Sequence, residues 1–225
     1  DETTIAESAR SVGYATGFYG KWHVGHRDPF LPTAQGFDEY YGIPYSHDLA
    51  GPGGGGRVPL PLLGGTEIIE ENPDPAFFTR RFTDRALAFF EGAVEHDRPF
   101  LMMLSHPMPH VPLAVSPPFD GVTGQGIYAD VIAEIDWSVG QVFDTLDRRG
   151  VDDELHAVTL EDEIVFRLRF GQREAVLEAG TPAARHRQAQ HQIRFALRRD
   201  DRRHPAGGVF AQRYGAVHVE AHAAP

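Results

Sequence analysis

The sequence predicts an α/β fold whose sheet contains parallel strands. Near the amino terminus a short helix pattern leads directly into a strand pattern, an order typical of α/β proteins. Farther along, the apolar run Phe100–Ser105 has the length of a strand covered on both faces, as strands of parallel sheets are. With 225 residues, 41% of them hydrophobic and 24% charged, the chain is long enough to bury one core.

The first predicted element is a short helix that ends at Gly13. Thr4 and Glu7 have the spacing of a capping box, in which each side chain accepts a hydrogen bond from the backbone N–H of the other residue. The glycine supplies the C-terminal stop. The predicted buried face consists of Ile5, Ala9 and Val12.

The stretch from 13 to 25 combines strand-forming aromatic residues with four glycines. If residues 19–24 are extended, Lys21 and His23 face one side and Trp22 faces the other, because alternate side chains of a strand point in opposite directions. Lys21 is the only lysine among the 21 basic residues, and a compact ammonium suits a point contact with a tetrahedral oxyanion. We therefore expect Lys21 and His23 to line a cleft that Trp22 anchors to the core.

Other interpretations of these side chains remain open on the residues alone. Lys21 fits equally a surface charge at a strand end, and His23 fits a structural histidine. His23 with His26, or His47 with Asp48, are pairs that a metal could use. Because metal sites usually have three or four protein ligands, two-residue pairs are weak support, and no metal ligand is assigned.

Two longer amphipathic helices are predicted, over residues 75–97 and 130–149. In both, apolar side chains recur at steps of three and four residues, so they share one face. The aromatic stripe of the first helix is explained by core packing, and Gly150 is the C-terminal stop of the second. Residues 51–56 contain five glycines and one proline, which predicts a flexible surface loop.

The strand at Phe100–Ser105 is followed by a proline-rich loop that contains two histidines, His106 and His110. The prolines exclude a helix, so the two histidines do not share a helical face despite their spacing. Ligands of parallel sheets gather beyond the carboxyl ends of the strands. We expect this loop to form one wall of an active site, with His106 as a supporting residue.

Composition excludes several function classes. The net charge of −11 argues against nucleic acid as a partner. The absence of cysteine excludes disulfides and thiolate metal sites. No apolar run approaches the roughly 18 residues of a membrane span. The first four residues do not resemble a signal peptide, and the localisation stays unknown.

Residues 13–25, a Gly-Tyr-x-Thr run leading into Gly-Lys-Trp-His-x-Gly, closely resemble the second signature of the sulfatase family. Residues 35–48 also resemble sulfatases, and more narrowly the arylsulfatase A-like branch. The resemblance covers about residues 3–155. It implies an alkaline phosphatase-like fold, with a doubly wound, mostly parallel sheet flanked by helices and incomplete in this chain. Residues 1–155 would then be part of a sulfatase catalytic domain, and 156–225 a tail of unrelated composition and irregular structure.

The same resemblance implies roles for three side chains in sulfuric ester hydrolysis. Lys21 would neutralise one oxygen of the sulfate, and His23 would hold the hydroxyl of the nucleophile or assist proton transfer. His110, whose place before a residue and a proline matches an arylsulfatase histidine, would hydrogen-bond the sulfate and protonate the leaving alcohol. The implied substrate is a small sulfate ester or a sulfated glycan or lipid.

Two components of the family's active site are not found in this sequence. Sulfatases use a formylglycine, made from a Cys-x-Pro-Ser-Arg-type motif, and a calcium ion bound partly by an Asp-Asn pair. Asn72 is the only asparagine in the chain, so no Asp-Asn pair exists, and the formylglycine motif is also missing. We expect this chain to be a fragment without sulfatase turnover of its own.

The tail allows several interpretations. It contains an acidic cluster at 161–163, an amphipathic segment from 164 to 177 and seven arginines between 185 and 203. A basic segment of this kind binds polyanions or is disordered, and a frameshift near residue 155 would also explain its composition. Two other functions rival sulfate ester hydrolysis. One is a phosphate or phosphonate ester hydrolase of the alkaline phosphatase superfamily, and the other is a non-enzymatic polyanion-binding module that uses the arginine-rich tail.

Overall fold

The computed structural model describes residues 2–49 and 58–150, and the backbone of residues 155–160 and 163–168. Within these residues one sheet contains seven strands, in the order β4-β3-β2-β1-β5-β7-β6. The strands are β1 (Ala15–Lys21), β2 (Glu39–Ile43), β3 (Pro61–Gly64), β4 (Glu67–Glu71), β5 (Phe100–Ser105), β6 (Leu155–Leu160) and β7 (Glu163–Leu168). The helices are α1 (Ile5–Ser11), α2 (Phe78–Glu95) and α3 (Ile127–Arg149).

The three central strands are parallel. Strand β1 pairs in parallel with β2 on one side and with β5 on the other, while β3 with β4 and β6 with β7 add antiparallel pairs at the two edges. The predicted α/β fold class is confirmed. Because β1, β2 and β5 run in the same direction, the loops that follow them leave the same edge of the sheet.

Helices cover both faces of the sheet. Helices α2 and α3 pack on one face, where their aromatic and aliphatic side chains surround Tyr19 and Met102. Helix α1 packs on the other face, over Phe18 and Leu101. Strand β5 is therefore covered on both sides, as its apolar sequence predicts. The predicted helices at 75–97 and 130–149 are confirmed, and Gly150 ends α3 in the left-handed conformation.

The capping box of α1 is present, but the predicted buried face is wrong. Ala6 and Ala9 are buried, whereas Ile5 is 56% exposed and Val12 is 46% exposed. The reason is a close approach at Gly36, where an added Cβ would lie 2.8 Å from the backbone carbonyl carbon of Ala6. Only small side chains fit so narrow a contact, and the larger apolar residues of the helix face outward.

Parts of the sequence interpretation fall outside the described residues. These are the glycine-rich loop at 51–56, the acidic residues 161 and 162, and the tail from 169 onward, including the arginines at 185–203. The expectation of irregular structure in the tail is wrong for residues 156–160 and 163–168, because these lie in β6 and β7, which pair with each other and, through β7, with β5. The amphipathic segment predicted from 164 begins within β7. Within the described residues, no helix has the length and apolar character needed to cross a membrane.

Candidate functional site

Lys21 is the last residue of β1, at the carboxyl edge of the three parallel strands. Its side chain is half-buried. Its backbone carbonyl accepts a hydrogen bond from Ser105 Oγ at 2.9 Å, which joins it to the last residue of β5. The chain beyond it is joined to β2, because the N–H of Trp22 donates to Ile43 O at 3.0 Å. The lysine therefore emerges from the middle of the sheet on a backbone held from both sides.

Trp22 anchors this strand end as predicted. Its indole packs edge-to-face against Phe18, with ring centroids 5.0 Å apart, and against Phe37 at 6.1 Å. Its Nε1–H donates to the carbonyl of Phe30 at 2.7 Å, which also fixes the loop that follows β1. The indole is thus part of the core on the α1 face, and its polar edge is hydrogen-bonded.

The expectation that Lys21 and His23 share a strand face is wrong. Strand β1 ends at Lys21, and His23 has a φ of 59°, so the extended alternation does not reach it. The turn occurs because the N–H of His23 donates to Pro44 O at 3.1 Å, one residue beyond the end of β2. The His23 side chain is exposed. Its catalytic role stays a prediction.

Two histidines from different loops lie side by side next to this edge. His47 follows β2 and His110 follows β5, and their ring centroids are 6.0 Å apart at 77°. His47 is buried with 4% of its surface exposed, whereas His110 is exposed. His47 also packs edge-to-face on Phe78 of α2. The buried ring therefore separates the exposed one from the core.

Backbone carbonyls fix which ring nitrogen carries the hydrogen in each histidine. His47 Nε2 is 2.9 Å from Pro112 O, and His110 Nδ1 is 2.7 Å from Val111 O. Because a carbonyl oxygen only accepts, each of these nitrogens must donate. In the neutral rings this leaves Nδ1 of His47 and Nε2 of His110 as acceptors. In the exposed His110 ring, Nε2 is therefore the nitrogen left for a further contact.

The charge of Lys21 acts on His47. Burial lowers the pKa of His47, and His110 and Lys21 lower it further, while the hydrogen bond to Pro112 O and the carboxylate of Asp48 raise it. The Ser46 side chain and the neighbouring His110 hold the pKa of Asp48 below its ordinary value. The end of β1 and the loop after β5 therefore bring an ammonium and a second imidazole within electrostatic reach of His47.

The sequence interpretation identified two of these three groups and missed His47, which it considered only as a metal ligand. The missed signal was that His47 follows a parallel strand. Strand β2 is only five residues long and contains Gly42, so its pattern is too short to predict a strand.

His106 lies beneath the site. It is buried, and its Nε2 is 2.9 Å from Ser138 Oγ of α3, which is in turn 2.6 Å from Thr83 Oγ1 of α2. This polar chain joins the end of β5 to both helices. The supporting role expected for His106 stays a prediction, and this hydrogen-bonded chain is the contact through which it would act.

His106 also predicts a pH dependence of stability. Burial lowers the pKa of His106 to about 4 from an ordinary 6.5. The unfolded chain therefore binds the proton more readily, and the stabilisation is complete above pH 6.5 and lost as the pH falls toward 4. We expect His106 to account for a loss of about 2 kcal/mol in the free energy of unfolding between pH 7 and pH 5.

Urea unfolding at the two pH values measures this loss. His106→Gln should reduce the difference between pH 7 and pH 5, while the matched change at exposed His96 at the end of α2 should leave it intact. An unchanged pH difference in His106→Gln would contradict the assignment.

The described residues do not fit a calcium site. Among them, no group of three or more histidine, aspartate or glutamate side chains is arranged to hold a metal ion. The sequence also lacks the Asp-Asn pair that the family resemblance implies. We therefore assign no step of the chemistry to a metal.

Comparison with known proteins finds similarity to sulfatases in the family models and in the individual relatives. The family model described as Sulfatase matches residues 1–158. Arylsulfatase G of Rattus norvegicus is 34% identical over 180 residues, covering 69% of this chain and 34% of that protein. Human arylsulfatase A is 32% identical over 179 residues, covering 72% and 35%. Human N-acetylgalactosamine-6-sulfatase is 33% identical over 162 residues, covering 68% and 30%. The chain thus spans about a third of the length of these relatives.

Solved structures agree on the fold. The PsFucS1 sulfatase from Pseudoalteromonas sp. superposes with a TM-score of 0.56 at 17% identity, covering 72% of this chain and 43% of that one. Ps i-CgsB, solved in complex with k-i-k-neocarrahexaose, gives a TM-score of 0.57 at 21% identity, covering 74% and 47%. The likeness includes the mixed sheet with its parallel centre and flanking helices, the fold class expected from the sequence.

Proposed function

Because the chain belongs to the sulfatase family, we propose that it contains the sulfate-binding lysine and histidine part of a sulfuric ester hydrolase. In this proposal residues 1–155 are a portion of the catalytic domain. Lys21 and His110 bind the sulfate group, and His23 assists at the nucleophile. The substrate is a sulfate ester, either a small molecule or a sulfated glycan or lipid.

The observation that supports this proposal best is the position of Lys21. The chain's only lysine ends the central strand of the parallel group, and its charge acts on His47 in the loop after β2. Parallel sheets bind ligands at this edge. A sulfate ester carries negative oxygens that shield its sulfur, and an ammonium placed there would neutralise one of them.

The ring geometry suits His110 for proton transfer. Its Nδ1–H is occupied by Val111 O, so Nε2 is free to donate to a sulfate oxygen or to the leaving alcohol when the ring is protonated. Exposure of the ring gives a substrate access to that nitrogen. His23 lies two residues after Lys21, where the backbone turns, and its side chain is exposed to a substrate.

The experiment is a binding and turnover measurement on the 225-residue chain. We expect inorganic sulfate to shift the amide and side-chain NMR signals of Lys21 and His110. We expect no hydrolysis of an aryl sulfate, because the sequence contains neither a formylglycine motif nor an Asp-Asn pair. Hydrolysis in proportion to protein concentration would contradict the second expectation, and unshifted signals at Lys21 and His110 would contradict the first.

Inorganic phosphate distinguishes the proposed sulfate site from the site of a phosphate or phosphonate ester hydrolase. A phosphate or phosphonate ester hydrolase of the same superfamily would bind inorganic phosphate more tightly than sulfate at this edge of the sheet. A sulfate site would show the reverse order at a mildly alkaline pH, where inorganic phosphate is mostly a dianion, as sulfate is. Titrating both anions against the same NMR signals therefore separates the two functions.

A further inference from the structure

His47 has three contacts that together define one role. Its Nε2–H donates to Pro112 O in the loop after β5, and its ring packs edge-to-face with the rings of His110 and of Phe78 in α2. No other described histidine bridges two of the loops that leave the carboxyl edge through a hydrogen bond to a carbonyl. The buried ring is therefore both a clamp between two loops and the support of an exposed ring.

The two backbone carbonyls that accept hydrogen bonds from these histidines belong to consecutive residues. Val111 O accepts from His110, and Pro112 O accepts from His47, so the two rings are fixed by neighbouring peptide groups. A movement of the segment 111–112 would release both hydrogen bonds together. The orientation of His110 is thus coupled to the hydrogen bond of His47.

The second nitrogen of His47 adds an electrostatic element. Among the described residues, Nδ1 has no hydrogen-bond partner and is buried. The charged and titratable groups that face the ring are Lys21 from β1, His110 from the loop after β5, and Asp48 from its own loop. Burial is the largest effect on the pKa of His47 and favours the neutral ring, so Nδ1 offers a lone pair beside the proposed sulfate-binding residues.

We propose that His47 is a positioning residue, which holds the loop after β5 so that His110 keeps a single tautomer with Nε2 directed outward. The inference rests on the proposed function only for what His110 binds, since the clamp itself is a property of the fold. His47 has no assigned contact with the substrate.

The test compares variants of the full chain by histidine side-chain ¹H–¹⁵N NMR and by sulfate titration. His47→Phe keeps an aromatic ring against Phe78 and removes both nitrogens. We expect His110 to lose its single Nδ1–H tautomer and sulfate to bind roughly tenfold more weakly, the loss of about one hydrogen bond. His47→Gln keeps an N–H donor that can reach Pro112 O, and we expect it to restore most of both properties.

The matched control is His96→Phe, which changes an exposed histidine at the end of α2 in the same way. It should alter neither the His110 tautomer nor sulfate affinity. If His47→Phe folds and leaves His110 with the same tautomer and the same affinity, the proposal is overturned.

A measurement on the unchanged chain covers the case in which His47→Phe does not fold. The Nε2 proton of His47 should be visible and slow to exchange, with a nuclear Overhauser effect to the His110 ring. A fast-exchanging proton without this effect would overturn the proposal. Failure of sulfate to bind the unchanged chain would instead contradict the proposed function, because the tautomer measurements need no ligand.

Discussion

Replacing Lys21 with methionine is expected to weaken sulfate binding by the 225-residue chain between about 10-fold and about 100-fold. The methionine keeps an unbranched apolar stem in the half-buried position and removes only the ammonium. A hydrogen bond between charged partners contributes more than a neutral one, and no second lysine exists to replace it. Titration of sulfate followed by NMR or calorimetry measures the change.

Arg10→Met is the matched control for Lys21→Met. Arg10 is an exposed residue in the last turn of α1, before β1 begins, and its loss changes the net charge by the same amount. Sulfate affinity should stay within about twofold of the original value, because the charge of an exposed side chain is screened by salt. Equal losses in both variants would mean that sulfate responds to net charge only, and an unaffected Lys21→Met would place the binding elsewhere, as the polyanion-binding alternative requires.

The sequence predicts most of the secondary structure that forms the centre of the fold. The capping box at Thr4, the apolar run at Phe100–Ser105 and the long stripe before Gly150 are local patterns, and the structure contains α1, β5 and α3 at these places. Strands β2, β3 and β4 have four or five residues each and are not predicted. Short strands depend on pairing partners far along the chain, which a local pattern does not contain.

The candidate site shows the same difference between residues with a local sequence pattern and residues placed by long-range contacts. Lys21 and His110 are recognisable because each follows a strand pattern or matches a family motif. His47 depends on contacts with Pro112 and His110, which are more than 60 residues away in the sequence. The left-handed backbone of His23 depends on a hydrogen bond to Pro44. Since neither contact has a local signature, the role of His47 and the end of β1 needed the folded structure.

Gly20 holds the three parallel strands together directly before Lys21. Its φ is +122°, a conformation that side-chain-bearing residues rarely adopt, and an added Cβ would overlap the carbonyl group of Ser105 in β5. Gly42 in β2 meets the Gly20 backbone in the same way, so the β2-β1-β5 contact is built from two glycines. The close approach places the ends of these strands near enough for their loops to share one site.

Gly20→Ala is expected to lower the free energy of unfolding by about 3 kcal/mol or more, from the combined strain of the backbone and the overlap. Because domains are stable by only about 5–15 kcal/mol, much of the protein should be unfolded or insoluble. Urea unfolding followed by circular dichroism measures the loss. The matched variant Gly92→Ala lies in α2 with no atom within 4 Å of the added Cβ, and it should be neutral or stabilise the helix. If Gly20→Ala unfolds at the same urea concentration as Gly92→Ala, the close packing of β1 against β5 does not determine the stability of the sheet.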